Sequence, residues 1–332
     1  MVGKQERRYQ RMITVVLALI SLIMVIPLVL LVVASFTSNN EIVLHGYSFF
    51  PKELSLEAYR YIWNERAQVF HAYGITILVT AIGTTIGVMM TLLYAYVLAH
   101  EKFPGKTFLA FYLFFTMLFN GGLVPTYIMY TRYLHMKNTI PALIIPGLLM
   151  SAFNVILTRT YIQSNVPAAL SEAAKIDGAT EFQVFRKVVL PMCKPIIATV
   201  GLFAGLGYWN DWTNGLYYIT DTNKFSIQQL LNNMIKNIEF LSKNANSNIN
   251  LASVGGGIPQ ETVRMAIAIV GLLPILIVFP FVQKYFVKGI SIDEKDVQDL
   301  LSIQDTGAEV TFQVTPEEKK LSLDGAAKKV RG

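Results

Sequence analysis

The 332-residue chain has little of what metal, redox or soluble-surface chemistry is built from. It holds one cysteine, Cys193, so no disulfide can form within it, and its four histidines, His45, His71, His100 and His135, show no ligand spacing. No resident metal or cofactor is expected. Charged residues make up 15%, whereas an ordinary soluble domain has about a quarter of its residues charged. No segment matches the GxxxxGK[ST] phosphate-binding loop, so ATP and its Mg ion would have to be bound by another chain. The histidines fall in loops or at the ends of apolar runs, which leaves no nucleophile–base pair for intramembrane hydrolysis.

What is present is apolar: 53% of residues, with a mean hydropathy of +0.45. A helix crosses the hydrocarbon core with about 20 apolar residues. Six runs reach that length, at residues 12–34, 73–99, 108–130, 139–159, 196–219 and 265–287, and they predict an all-α polytopic membrane protein with six transmembrane helices. The first follows KQERRYQR and ends in VVASF, whose small residues resemble a signal-peptide cleavage site; the run is too long for a signal peptide and predicts an uncleaved span. The expected organisation is a cytoplasmic N-terminus (1–11), a six-helix unit (12–290) and a polar tail (291–332), whose EVTFQVT alternates enough for a short strand.

The formal charge of +6 is uneven: the tail holds nine acids and six bases, leaving +9 on the rest. No basic run is interleaved with aromatics, so nucleic acid is not an expected partner. With the N-terminus inside, thirteen Lys and Arg face the cytoplasm and nine fall in the longer opposite loops, so the density of positive charge places both termini in the cytoplasm. Gly83–Gly87 and Gly201–Gly205 repeat small residues at helical spacing, marking faces for close helix packing, within the chain or against a second subunit.

The connection of about 160–195, between the fourth and fifth runs, is longer than a helix–helix turn needs. PAALSEAAKIDGA predicts a helix from about Pro167, Gly178 permits a left-handed exit, and Ala179 to Val189 predicts a second short helix ended by Leu190-Pro191 before Pro195 opens the next span. A plain linker needs neither the glycine nor the paired prolines at these offsets. This EAA…G………LP segment resembles the signature of the permease subunits of binding-protein-dependent ABC importers, on Glu172, Ala173, Ala174, Asp177, Gly178, Ala179, Phe185, Leu190, Pro191 and Pro195, with Val188 where that family usually has isoleucine. The spelling EAAKIDGA, the run from Phe119 through LVPTYIMY and the YWNDW of the fifth span resemble the carbohydrate branch and its Gram-positive oligosaccharide permeases, over about residues 10–290.

The resemblance implies a plasma-membrane transport subunit, not an enzyme, whose elbow is a coupling helix docked in a cleft of an ATPase. It also implies a second permease in a heterodimer, two ATPase subunits, an extracellular solute-binding protein that meets the outer segments 35–72 and 220–264, and a carbohydrate substrate. For the substrate path, YWNDWTN supplies Tyr208, Trp209, Asn210, Asp211 and Trp212, aromatic faces and amides suited to a sugar; an interfacial aromatic belt explains the same residues equally well. Asn120, in Asn120-Gly121-Gly122, interrupts the third run and either lines a cavity or kinks a helix. Two other classes stay open at this point, an ion-coupled secondary transporter and an ABC permease for a non-sugar solute; the first has against it the single off-centre acid Asp211 and the lack of a visible two-fold repeat.

Overall fold

The computed structural model describes residues 4–100, 103–147, 149–245 and 260–290. The chain divides at Phe286; the first unit is described below, and the second, Val287–Gly332, includes the tail with its EVTFQVT run, which lies outside the described residues. The helices in order are α1 (Lys4–Ser35), α2 (Asn39–His45), α3 (Glu57–Asn64), α4 (Arg66–Ala99), α5 (Lys106–Leu118), α6 (Leu123–Ile128, closed by a π turn, Met129–Tyr133), α7 (Pro141–Ile144) and α8 (Ala152–Asn165). There follow α9 (Ala168–Ile176), α10 (Glu181–Val184, then a π turn, Phe185–Val189), α11 (Leu190–Met192), α12 (Lys194–Trp209), α13 (Thr213–Tyr218), α14 (Ile227–Ala245) and α15 (Gln260–Ile290). Among the described residues there is no strand, only an isolated antiparallel bridge between Thr37 and Leu54.

Among the described residues three helices are long and apolar enough to cross a membrane: Arg8–Ser35 within α1, all of α4, and Gln260–Val278 within α15. Two bent pairs raise the number to five, Lys106–Leu118 with Leu123–Tyr133 at 114° and Glu181–Met192 with α12 at 81°. Six unbroken spans are therefore not seen among the described residues. The difference lies at 139–159. There α7 stops after four residues, Pro146 has no N–H to continue it, Gly147 takes a φ of 74°, and helix resumes only at Ala152. Apolar composition is blind to such breaks, because a broken and an unbroken helix have the same side chains.

The long α4 is the spine, packed against α12 and α8. Near its start Val69, Ala72 and Val79 share a core with Ile144, Tyr208, Ile227, Leu231 and Ile267. Near its end Leu92, Ala95 and Leu98 share a second core with Val155, Val184, Phe185, Val189 and Cys193. The small residues let α4 and α12 meet closely: a Cβ on Gly201 would lie 3.9 Å from Val88, and one on Gly205 3.6 Å from Thr84. These faces pack within the chain. By contrast, the most apolar stretch of α1 is covered by none of the other described residues.

Proline leaves a mark on α15. Pro274 lacks the N–H that would bond the Val270 carbonyl one turn back, and the Tyr73 hydroxyl from α4 donates to that carbonyl instead. The Trp209 indole N–H of α12 donates to the neighbouring Gly271 carbonyl at 3.4 Å. Three long helices are thereby tied at the turn where α15 has lost a bond of its own.

Candidate functional site

The segment between α8 and α12 folds as an elbow. Helix α9 ends at Ile176, the Gly178 N–H donates to the Lys175 carbonyl at 3.0 Å, and the Ala179 N–H donates to the Ala174 carbonyl at 2.9 Å. This pair of bonds is a Schellman closure, and it requires the left-handed φ of 82° that Gly178 adopts. Thr180 then caps α10: its hydroxyl accepts from the Gln183 N–H while the Gln183 side chain accepts from the Thr180 N–H. The second helix runs one residue past the expected Leu190-Pro191 end, closing at Met192, and the chain bends 81° at Cys193 before α12 begins.

The elbow is anchored, not free. Val184, Phe185 and Val189 are buried against the end of α4. Above them one carboxylate gathers three elements: Glu181 of α10 pairs with Lys175 of α9 and accepts from the Tyr96 hydroxyl of α4 at 2.9 Å, with His100 3.8 Å away. The hydrogen bond from Lys175, opposed by burial and reinforced by Tyr96, holds the Glu181 carboxyl below its ordinary range. Beside this clasp opens a cleft of ≈ 660 Å³ lined by Tyr96, His100, Ser171, Glu172, Lys175 and Glu181 among others.

The ten positions of the sequence signature divide by exposure. Glu172, Ala173, Asp177, Gly178 and Pro191 face outward, Phe185 is buried, and Ala174, Ala179, Leu190 and Pro195 are half-buried. Sequence reasoning missed the clasp and also Leu170, Ile176 and Phe182, which are 46%, 86% and 66% exposed and give the outer side of the elbow an apolar face. The signal for Ile176 and Phe182 was present, since each flanks the turn and neither has a place in the core.

The YWNDWTN stretch is not a single patch. Tyr208 is buried, its hydroxyl donating to the Ile144 carbonyl at 3.0 Å, and Asn214 donates to the Pro146 carbonyl at 2.9 Å. Both carbonyls belong to the break after α7, so these side chains satisfy backbone that has no helical partner. Trp209 faces α15 and Tyr73. Asp211 accepts from the Thr213 and Asn214 N–H groups at 3.0 and 3.2 Å, satisfying two donors that the first turn of α13 leaves free. Only Asn210 and Trp212 reach a groove, of ≈ 430 Å³, between the end of α12, α14 and α15. Asn120 lies apart from them, its side-chain carbonyl accepting from the Gly122 N–H at 2.9 Å in the break between α5 and α6.

Apolar helices, sharp breaks between two pairs of them, and a surface elbow clasped to a long helix define a membrane-embedded component. The chain belongs to the family of binding-protein-dependent transport system inner membrane components, whose model matches residues 2–292. It is 35% identical over 285 residues to the polygalacturonan/rhamnogalacturonan transport system permease protein YtcP of Bacillus subtilis, covering 86% of this chain and 97% of that one. To the melibiose/raffinose/stachyose import permease protein MelC of the same organism it is 26% identical, over 85% of this chain and 95% of that one. A chain of the crystal structure of a bacterial ABC transporter involved in the import of the acidic polysaccharide alginate superposes with a TM-score of 0.68 at 27% identity, covering 86% of this chain and 99% of the other.

Proposed function

We propose that this chain is the permease subunit of an ATP-driven importer of oligosaccharides, gated through the Glu172–Pro191 elbow. The observation that carries this is the elbow itself: a capped turn whose outer side exposes Ile176 and Phe182 and whose inner side is clasped to α4. An ATPase can drive a membrane gate only through a contact stiff enough to transmit two arrangements. The family membership supports the two ATPase subunits and the extracellular binding protein, and the saccharide names of the relatives support the substrate class. The exposed α1 supports a second permease subunit, since a face that the described residues leave uncovered is available to another chain.

In this reading α7 and α8 together make the fourth of six crossings, both termini are cytoplasmic, residues 12–290 form the transport unit and 291–332 the tail. Glu172, Ala173, Asp177 and Gly178 meet the ATPase, with Ala174, Ala179, Leu190 and Pro191 holding the elbow's shape. Asn210 and Trp212 face the solute, while Tyr208, Trp209 and Asp211 hold the surrounding helices. Cysteine cross-linking tests the docking face. Cys193 is buried, so a thiol placed by Ile176→Cys reacts against little background. It should cross-link to the ATPase in the assembled importer, and cross-links from Phe103→Cys but none from Ile176→Cys or Phe182→Cys would reject the assignment.

A further inference from the structure

The groove beside Trp212 carries a finer statement, which rests on the carbohydrate reading above. Its floor is apolar, with Ile235, Leu272 and Ile275, and its edge carries amides from Asn210, Gln228 and Asn232. The volume of ≈ 430 Å³ falls within the ~300–1,000 Å³ of small-ligand pockets and takes the end of a chain, not a polymer. Among the described residues Lys236 is the one charged residue lining it, with Nζ 6.0 Å from the centre of the Trp212 ring.

Two other cations of this region, Lys224 and Arg264, are neutralised. Lys224 pairs with Asp221 at 3.1 Å, and Arg264 pairs with Glu261 at 3.3 Å and Glu239 at 3.7 Å. Glu239, one helical turn beyond Lys236, is thus directed to Arg264, and among the described residues no carboxylate lies within ion-pair distance of Lys236. An unpaired ammonium over an indole face, with amides around it and no acid, favours an anion that also has hydroxyls and an apolar face.

We propose that this groove binds carboxylate-bearing sugars, the uronate units of acidic oligosaccharides. The carboxylate pairs with Lys236, ring hydroxyls exchange hydrogen bonds with the amides of Asn210, Gln228 and Asn232, and the C–H face of the sugar lies against Trp212 and the aliphatic floor. A closely packed subunit without an acid at this point would bury the ammonium unpaired, which is unfavourable. A neutral sugar would leave Lys236 without a partner, so the groove discriminates by charge.

The test uses the full chain in phosphatidylcholine nanodiscs, with trigalacturonate as probe and the same trisaccharide with its carboxyls reduced as control. Lys236 should be protected from amine acetylation by trigalacturonate and not by the reduced sugar. Binding should fall at least tenfold in Lys236→Gln and recover in Lys236→Arg. Equal protection by both sugars, protection by neither, or unchanged trigalacturonate binding in Lys236→Gln overturns the proposal, as does protection by phosphatidylglycerol that trigalacturonate cannot displace, which would make the site one for lipid. Uptake separates the two readings. An importer that carries the reduced sugar but whose Lys236 is never protected refutes the groove alone. One that carries no oligosaccharide, with Lys236 protected by trigalacturonate, keeps the groove and refutes carbohydrate transport.

Discussion

The ring of Tyr208 on α12 lies directly over the Cα of Gly83 on α4: a Cβ at residue 83 would overlap ring atom Cζ and come within 2.6 and 2.7 Å of Cε1 and Cε2. The ring cannot easily retreat, because its hydroxyl is held by the Ile144 carbonyl. Gly83→Ala should therefore destabilise the protein by about 1–3 kcal/mol through overpacking. Thermal unfolding in detergent measures this. Tyr208→Leu, which removes the obstructing ring, should relieve part of the loss when combined with Gly83→Ala, and strict additivity of the two would disprove the contact.

At the elbow, a Cβ on Gly178 would meet nothing within 4 Å, so the cost of substitution comes from its φ of 82° alone. Gly178→Ala should cost about 1 kcal/mol. Gly178→Asn, a residue that tolerates this region, should cost less. Gly178→Asp adds charge to the outward face and is expected to abolish uptake in a chain that still inserts in the membrane. Normal transport by that inserted variant would refute the coupling assignment.

The Glu181 clasp has a defined pH dependence. Its carboxyl titrates below the ordinary value of 4.5, so its stabilising effect is fully present above that value and is lost as pH falls through the lowered one. Between pH 6 and 8 the Glu181 carboxyl therefore stays ionised. Because Glu181 is 59% exposed, its ion pair is worth about 1 kcal/mol or less. Glu181→Gln at pH 7 should therefore fold normally, yet transport less solute per ATP hydrolysed, since the elbow would be less firmly joined to α4. An unchanged ratio would show that the clasp transmits nothing.

The turn at Gly178 was legible in the sequence because the need for a left-handed residue is local, set by the few residues around it. Helical spacing likewise identified the glycine faces of α4 and α12. The clasp was not legible: Tyr96 and Glu181 are 85 residues apart, and only the packing of Phe185 and Val189 on α4 brings them together. The YWNDWTN stretch was legible as polar and aromatic but not as to purpose. Tyr208 and Asn214 serve carbonyls exposed by a break near Pro146, some 65 residues earlier, and hydropathy had counted that break as continuous helix.

The same logic yields the sharpest test of how the long helices are joined. Tyr73 donates to the Val270 carbonyl only because Pro274 cannot. In an apolar setting, Tyr73→Phe leaves that carbonyl without a donor, at about 1–3 kcal/mol. Pro274→Ala restores the missing N–H, and α15 can then satisfy Val270 from within. In that background the Tyr73 hydroxyl has little left to contribute, so Tyr73→Phe should become nearly neutral there. A double-mutant cycle on thermal stability reads this directly, as a coupling of about 1 kcal/mol or more between residues on different helices. If Tyr73→Phe costs the same with proline or alanine at position 274, the hydroxyl serves some other purpose, and the link between α4 and α15 rests on packing alone.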